Sequence, residues 1–284
     1  MSAKKSSIAV LLRLASQLDG ISDTSRLDLE VLLCYVLDKP RSYLFTWPEK
    51  ELDQQQVNHF NNLLKRRAEG EPIAYLTGEK EFWSLSLAVD TTTLIPRPDT
   101  ELLVETALNV LDKPDARVLD LGTGTGAIAL ALASENSGWK ILAVDTVIGA
   151  VELAEKNRQR LGLDNVTVIR SDWFENIPAQ KFDLIVTNPP YIDEDDRHLK
   201  EGDVRFEPVS ALVADNKGMA DIEFIICGAK EYLVDGGCLL IEHGYQQAKA
   251  VCTLLQNEGF LYIETACDMA GLERLTSGCF KKPC

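Results

Sequence analysis

The spacing of apolar residues along this chain changes character twice. In the first stretch the period is helical: Ile8, Leu11, Leu12 and Ala15 share one face, as do Leu29, Leu32, Leu33, Val36 and Leu37. A further helix is predicted from Gln56 to Ala68, carrying Phe60, Leu63 and Leu64 and stopped by Gly70-Glu71-Pro72. These segments predict a small helical domain over residues 1–73. From Tyr75-Leu76-Thr77-Gly78 through Phe82 to Val89 the pattern alternates instead, which predicts a β-hairpin linker over residues 74–97. After a stiff Leu94-Ile95-Pro96-Arg97-Pro98 segment and a helix from Thr100 to Val110, strand-like and helix-like runs take turns. Strands are expected at Val118–Leu121, Ile141–Val144, Val166–Arg170, Leu184–Thr187, Leu239–Glu242, Leu261–Ala266 and Leu275–Phe280. Helices are expected near Ala127–Ser134, Val147–Leu161, Met219–Leu233 and Gln246–Asn257. Such alternation predicts an α/β domain over residues 98–284, a doubly wound, seven-stranded and mostly parallel sheet.

Charge sharpens the division. Residues 1–75 contain ten basic and ten acidic side chains, so the net charge of −15 lies wholly in the rest of the chain. Binding to naked nucleic acid is driven by neutralising phosphates with Lys and Arg. An acidic α/β half therefore argues against direct nucleic-acid binding. No apolar run approaches the roughly 18 residues needed to span a bilayer. The basic start, Met1 to Ser7, is not followed by a signal-peptide pattern. A cytoplasmic protein with no membrane association is expected. Its seven cysteines are widely spaced, without a Cys-x-x-Cys pair, and none of the three histidines stands at ligand spacing from a cysteine. Reduced thiols are expected and no metal site is predicted, with Cys238 and Cys252 read as small core residues.

Asn188-Pro189-Pro190-Tyr191 follows the apolar run Phe182 to Thr187 directly. Two successive prolines exclude both strand pairing and helix, so the chain leaves the sheet at Asn188 in a rigid turn. Open parallel sheets bind ligands at this carboxyl edge. One amide oxygen with adjacent backbone carbonyls makes an acceptor array suited to a planar –NH2 group, and a Tyr face can stack on a planar substrate. A Pro-stiffened loop with a packed Tyr is the structural alternative.

Asp120-Leu121-Gly122-Thr123-Gly124-Thr125-Gly126 follows the first strand of the sheet and opens an Ala-rich helix. Glycines admit a ligand where a Cβ would block it. The spacing is Gly-x-Gly-x-Gly, unlike the Gly-x-Gly-x-x-Gly of dinucleotide binders. Asp145 closes the next strand, where a carboxylate can bridge two ribose hydroxyls, and Asp172-Trp173 follows the third with a carboxylate and an indole wall for a base. Alone, the glycines fit a tight turn and Asp145 a helix cap.

Together these strand ends resemble class I S-adenosylmethionine-dependent methyltransferases. In that family the glycine loop holds the methionine part of the cofactor and the second acidic residue holds its ribose. Along nearly its whole length the chain further resembles the release factor glutamine methyltransferases, the HemK/PrmC family. The matching stretches are Arg66-Arg67 with Gly70-Glu71-Pro72, Leu94 to Glu101, Val118 to Gly126, Ser171 to Phe174, Asn188 to Ile192, Phe206-Glu207-Pro208 with Ala211-Leu212, and Leu240 to Gly244. Departures are confined to Thr146-Val147 and to the segment Asp268 to Arg274.

The resemblance implies methyl transfer to the side-chain amide of the Gln in a release factor's Gly-Gly-Gln loop. S-adenosylmethionine would be held by Gly122, Thr123, Gly124, Thr125, Gly126, Asp145, Asp172, Trp173 and Asn188. Asn188 and Pro189 would accept the two amide N–H groups, with Pro190 and Tyr191 completing the substrate site and Tyr191 packing against the Gln side chain. Glu207 and Arg97 would stand behind them or form a structural pair. An adenine-N6 methyltransferase shares Asn-Pro-Pro-Tyr and is the alternative.

Overall fold

The computed structural model describes residues 6–282, so Met1 to Lys5, Pro283 and Cys284 lie outside the described residues. Two compact units are present: the chain up to Glu79 joined by His198–Phe206, and Lys80–Arg197 with Glu207 onward.

The first unit is helical. Its principal helices, Ser25–Leu37 and Gln54–Ala68, bury Leu29, Leu32, Leu33, Phe60, Leu63 and Leu64 together with Ile8, Leu18 and Leu44. The second helix starts in a reciprocal cap: Gln56 N–H donates to Asp53 Oδ1 (2.8 Å) and Asp53 N–H to Gln56 Oε1 (3.1 Å). Buried charge is paired rather than isolated. Arg67 donates to Asp28 at 2.8 Å and to Asp203 at 2.9 Å, so the 198–206 segment is bound into this unit through a guanidinium fork.

The hairpin is present but shifted from its expected position. Ile73–Thr77, which includes the Tyr75-Leu76-Thr77 read from sequence as strand, is a short helix, and Gly78 (φ 73°) ends it in the left-handed conformation of a helix C-cap. The paired strands are β1 (Glu79–Phe82) and β2 (Leu85–Ala88). Trp83 and Ser84 turn between them with φ of 51° and 60°. Glu101 and Glu81 side chains hold that turn by accepting the N–H groups of Trp83 (3.0 Å) and Ser84 (2.7 Å).

The second unit is built on seven strands: β3 (Arg117–Leu121), β4 (Lys140–Asp145), β5 (Val166–Arg170), β6 (Phe182–Thr187), β7 (Leu233–Glu242), β8 (Phe260–Cys267) and β9 (Glu273–Phe280). Their order is β5-β4-β3-β6-β7-β9-β8. Pairing is parallel from β5 to β7 and antiparallel at β7–β9 and β9–β8. This is the doubly wound, mostly parallel sheet that the alternation predicts. Strands covered on both faces read as continuous apolar runs, hence Val118-Leu119 and Leu184-Ile185-Val186, all fully buried. Each such side chain contributes about 1.5–3 kcal/mol by leaving water. Helix Ala127–Glu135 is apolar all round, with every residue from Ala127 to Ala133 buried, because it packs inside the unit rather than along its surface.

One expectation about the thiols fails. Cys238 and Cys279 are joined by a disulfide, whereas reduced thiols were expected. The β7–β9 register sets these residues directly opposite one another, with Cα atoms 4.0 Å apart. Cys34, Cys227, Cys252 and Cys267 are free.

The chain runs from β3 outward through β4 to β5, then returns to β6 on the other side of β3. Loops after β3 and β6 consequently diverge, which opens a crevice at the carboxyl edge between them. Both motifs singled out in the sequence flank that crevice. Among the described residues no helix is long and apolar enough to cross a membrane.

Candidate active site

A cavity of about 260 Å³ occupies the crevice. The loop after β3 forms one wall. Gly122, Gly124 and Gly126 have φ of 72°, 55° and 86°, values that favour glycine. Gly122 and Thr123 both donate N–H to the Val144 carbonyl at 2.9 Å, and Gly126 donates to the Thr123 carbonyl at 2.8 Å, so the loop curls tightly. A Cβ on Gly122 would meet the Trp173 ring at 3.4 Å, and one on Gly126 would lie 2.9 Å from Leu130. Beneath the loop, Asp120 is completely buried and accepts the Thr123 hydroxyl at 2.6 Å. Burial dominates its chemistry and pushes its pKa up to about 7, against the opposing hydrogen bond from Thr123.

Asp145 stands at the end of β4. Its Oδ2 accepts Gly124 N–H and its Oδ1 accepts Val147 N–H, both at 2.9 Å. Asp145 closes a turn onto Val147 and does not cap the following helix, whose N-cap is Val147, and each oxygen keeps a further lone pair beside the cavity that Asp145 lines. Burial raises its pKa, with those backbone donors opposing. Asp172 is exposed at the rim. Trp173 is half-buried at φ 42°, with its ring beside Gly122 and its indole near Asp221. Thr123, Thr125 and Asp221 also line the cavity.

Opposite lies the turn after β6. Thr187 ties β6 to β3 through its hydroxyl, which donates to the Leu121 carbonyl at 2.8 Å. Asn188 and Pro190 line the cavity, whereas Pro189 is buried and neither it nor Tyr191 reaches the lining. Asn188 Nδ2 donates to Thr100 Oγ1 at 3.1 Å, which leaves Oδ1 as the uncommitted acceptor. Tyr191 turns away: its hydroxyl donates to Glu242 Oε1 at 3.5 Å, and its carbonyl accepts Gln247 Nε2 at 3.1 Å. Burial first, and the neighbouring Glu242 charge second, raise the Tyr191 pKa. In this arrangement Tyr191 is held behind the turn by Glu242 and Gln247, outside the cavity lining.

Glu207 is fully buried beside Arg97, with which it forms an ion pair, and it accepts Ile95 N–H at 3.1 Å. That pair shapes the Thr92-to-Arg97 segment that closes the cavity. His243 is satisfied within the core by Gly244 carbonyl (3.0 Å) and Thr276 hydroxyl (2.8 Å). Burial lowers its pKa, so it is a neutral packing residue. Thr100 and Glu242 were not singled out for chemistry from sequence. Both stand in motifs quoted there, yet only the fold brings them together.

A mostly parallel sheet with an antiparallel excursion at one edge, and a glycine cradle at its switch point, define a class I methyltransferase. Solved structures agree on the fold: a methyltransferase from Pyrococcus furiosus (TM-score 0.55, 17% identity, 78% of this chain and 100% of that one) and the human Mettl16 catalytic domain in complex with an RNA hairpin (TM-score 0.56, 15% identity, 82% and 86%). Sequence models match the PrmC N-terminal domain over residues 9–78 and the methyltransferase small domain over residues 98–203. The release factor glutamine methyltransferase of Shewanella oneidensis is 52% identical over 277 residues, covering 97% of both chains. That of Pseudomonas aeruginosa is 54% identical over 257 residues (90% and 93%), and that of Escherichia coli 51% over 263 (93% and 95%). The chain belongs to the release factor glutamine methyltransferase family.

Proposed function

We propose that this enzyme methylates the side-chain amide nitrogen of the Gln in the Gly-Gly-Gln loop of peptide chain release factors, in the cytoplasm, with S-adenosylmethionine as donor. The donor fits the residues present: a glycine cradle that a Cβ would fill, the spare lone pairs of Asp145 for ribose hydroxyls, and Asp172 with Trp173 for the adenine. S-adenosylmethionine supplies an electrophilic methyl group on sulfur, and the remaining work falls to the protein.

An amide nitrogen is a poor nucleophile because its lone pair is delocalised into the carbonyl. Asn188 Oδ1 accepts one N–H of the substrate amide, and the Pro189 carbonyl, set back from the cavity lining, accepts the other. Two fixed acceptors hold the nitrogen in line with the methyl group, and alignment supplies most of the acceleration. They also stabilise positive charge as it develops on nitrogen. No imidazole is needed as a base, in keeping with the partnered state of His243; the proton departs to solvent after transfer. Tyr191 anchors the turn from behind. The helical unit serves as the docking module for the release factor.

One observation carries this reading. Asn188 lines the cavity with its Nδ2 already committed to Thr100, so the free end of the amide is an acceptor. Mass spectrometry of the Gly-Gly-Gln peptide, after incubation of intact release factor with enzyme and S-adenosylmethionine, is expected to show a gain of one methyl on Gln. Label transferred to DNA and not to release factor would overturn the proposal.

A further inference from the structure

We infer that Asn157 is a positioning residue for the methyl donor, clamping the glycine loop and the segment after β2 at the separation the donor needs. The inference rests on the reading of the cavity as the S-adenosylmethionine site.

Asn157 lies in the interior of helix Ile148–Leu161 and is completely buried. Asn is a weak helix former, because its side chain competes for backbone hydrogen bonds, and a buried helical position ordinarily takes an apolar residue. Here the amide is fully used. Its Oδ1 accepts Ala88 N–H at 2.8 Å. Its Nδ2 donates to the Ala88 carbonyl at 3.0 Å and to the Thr125 carbonyl at 2.9 Å. These partners fix the direction of the amide. Reversed, Nδ2 would confront an N–H group and Oδ1 would face two carbonyls.

The two residues it holds lead to different parts of the cavity wall. Thr125 belongs to the glycine loop and lines the cavity. Ala88 ends β2, and the chain beyond it supplies Thr92, Thr93 and Leu94 to the same lining. The two stretches approach each other closely: a Cβ on Gly124 would lie 3.8 Å from Thr93 Cβ. Near its start the same helix touches the second stretch again, where a Cβ on Gly149 would lie 2.7 Å from Thr92 Cγ2. One helix therefore sets both walls, by a polar clamp at Asn157 and by close packing at Gly149. Asn157 is not itself in the lining, so it acts on the donor through backbone. Without it, buried backbone groups of both walls lose their shared partner and recover hydrogen bonds only by moving.

Asn157→Leu removes all three hydrogen bonds with little change of shape. Calorimetric affinity for S-adenosylmethionine is expected to fall at least about tenfold, the scale of one buried polar group left without its partner. KM for the donor should rise in parallel, while kcat at saturating donor and KM for release factor stay within about threefold. Val251→Ala is the control for a merely weakened core. Val251 is completely buried in helix Ala248–Asn257, which contributes nothing to the cavity lining, so this variant should melt early yet bind the donor normally. Wild-type donor affinity in Asn157→Leu, or an equal loss in Val251→Ala, would overturn the inference. Should Asn157→Leu fail to fold, judged by circular dichroism, Gly149→Ala decides. It should weaken donor binding by driving Thr92 away, and adding Thr92→Ser, which deletes the colliding methyl, should recover most of the loss. No loss in Gly149→Ala, or a loss that Thr92→Ser leaves in place, would then overturn the inference. Absence of donor binding to the wild-type protein would overturn the reading of the cavity itself; weakened binding in Asp145→Ala with none in Asn157→Leu would overturn only the positioning role.

Discussion

Gly218→Ala tests how rigidly the catalytic turn must be held. Gly218 has φ of +78°, and a Cβ there would lie 2.1 Å from the Tyr191 carbonyl oxygen and 2.6 Å from its carbon. The obstacle is backbone, which no rotamer change relieves. Real Cβ contacts do not fall below 3.0 Å, so the carbonyl must retreat by about 0.9 Å. That carbonyl is also the acceptor for Gln247 Nε2, and Tyr191 is three residues from Asn188. A displacement near 1 Å in reacting geometry can cost about 100-fold in rate. Gly162→Ala is the control, because Gly162 has φ of +68° with no atom within 4 Å of its would-be Cβ. Both variants carry the left-handed strain of about 1–2 kcal/mol, but only one carries the collision. Turnover on release factor and thermal melting of the three proteins separate the effects. Gly218→Ala is expected to lose at least about tenfold in kcat and to melt below Gly162→Ala, whose kcat stays at the wild-type value. Equal kcat in the two variants would refute the claim that the 191 peptide must stay where it is.

Asn188→Ala should lower kcat by about 10²–10³, the usual cost of deleting one preorganised polar contact, while calorimetric affinity for S-adenosylmethionine changes only a few-fold. Asp145→Ala orphans the N–H groups of Gly124 and Val147 besides removing the ribose contact, and about 1–3 kcal/mol of lost donor affinity is expected by calorimetry; unchanged affinity would refute the ribose assignment. Asp120 has a folded-state pKa near 7 against an ordinary 3.8. Its native form therefore holds a proton that the unfolded chain releases, so its contribution is full below pH 4 and is lost as pH rises through 7. Chemical denaturation should show Asp120→Asn gaining stability relative to wild type between pH 5 and pH 8, by up to about 4 kcal/mol at 1.36 per unit; a pH-independent difference would contradict the assignment. Arg67→Met leaves Asp28 buried without its cation, with only the Thr24 hydroxyl bonded to it, and should cost about 3–5 kcal/mol in the same measurement.

The sheet was legible because its strands are buried on both faces and punctuated by polar strand ends. Val166–Arg170 was bounded to the residue, and the others to within a few positions apart from the early start of β7 at Leu233. There the chain enters β7 through a bulge at Gly236-Gly237, where glycines hide the strand pattern. The hairpin was misread because Gly78 is an equally good turn residue and helix stop, and Ile73–Thr77 is too short to show a period. The true turn uses Trp83 and Ser84 in the left-handed region, which neither prefers. It is held by Glu81 and Glu101, and the latter contact spans 18 residues. The Cys238–Cys279 link was illegible for a related reason, since it depends on a β7–β9 register joining residues 41 apart.

What sequence could not supply at the site was direction. The Asn188-to-Tyr191 turn was readable as an acceptor array, because prolines and an amide announce their hydrogen-bonding capacity locally. Which end of the amide faces the cavity depends on Thr100, 88 residues away. Where Tyr191 points depends on Glu242, 51 residues away. Neither partner has chemistry of its own in the reaction, so no motif logic marks them. Yet a buried carboxylate whose pKa rises to about 7 carries a desolvation cost, and the surrounding core would accept an apolar residue more cheaply. Tyr191 alone does not require a charge, since a neutral amide would accept its proton equally well. The acid at position 242 is therefore read from the fold, through the Tyr191 hydroxyl that it receives, and not from any pattern of neighbours in the chain.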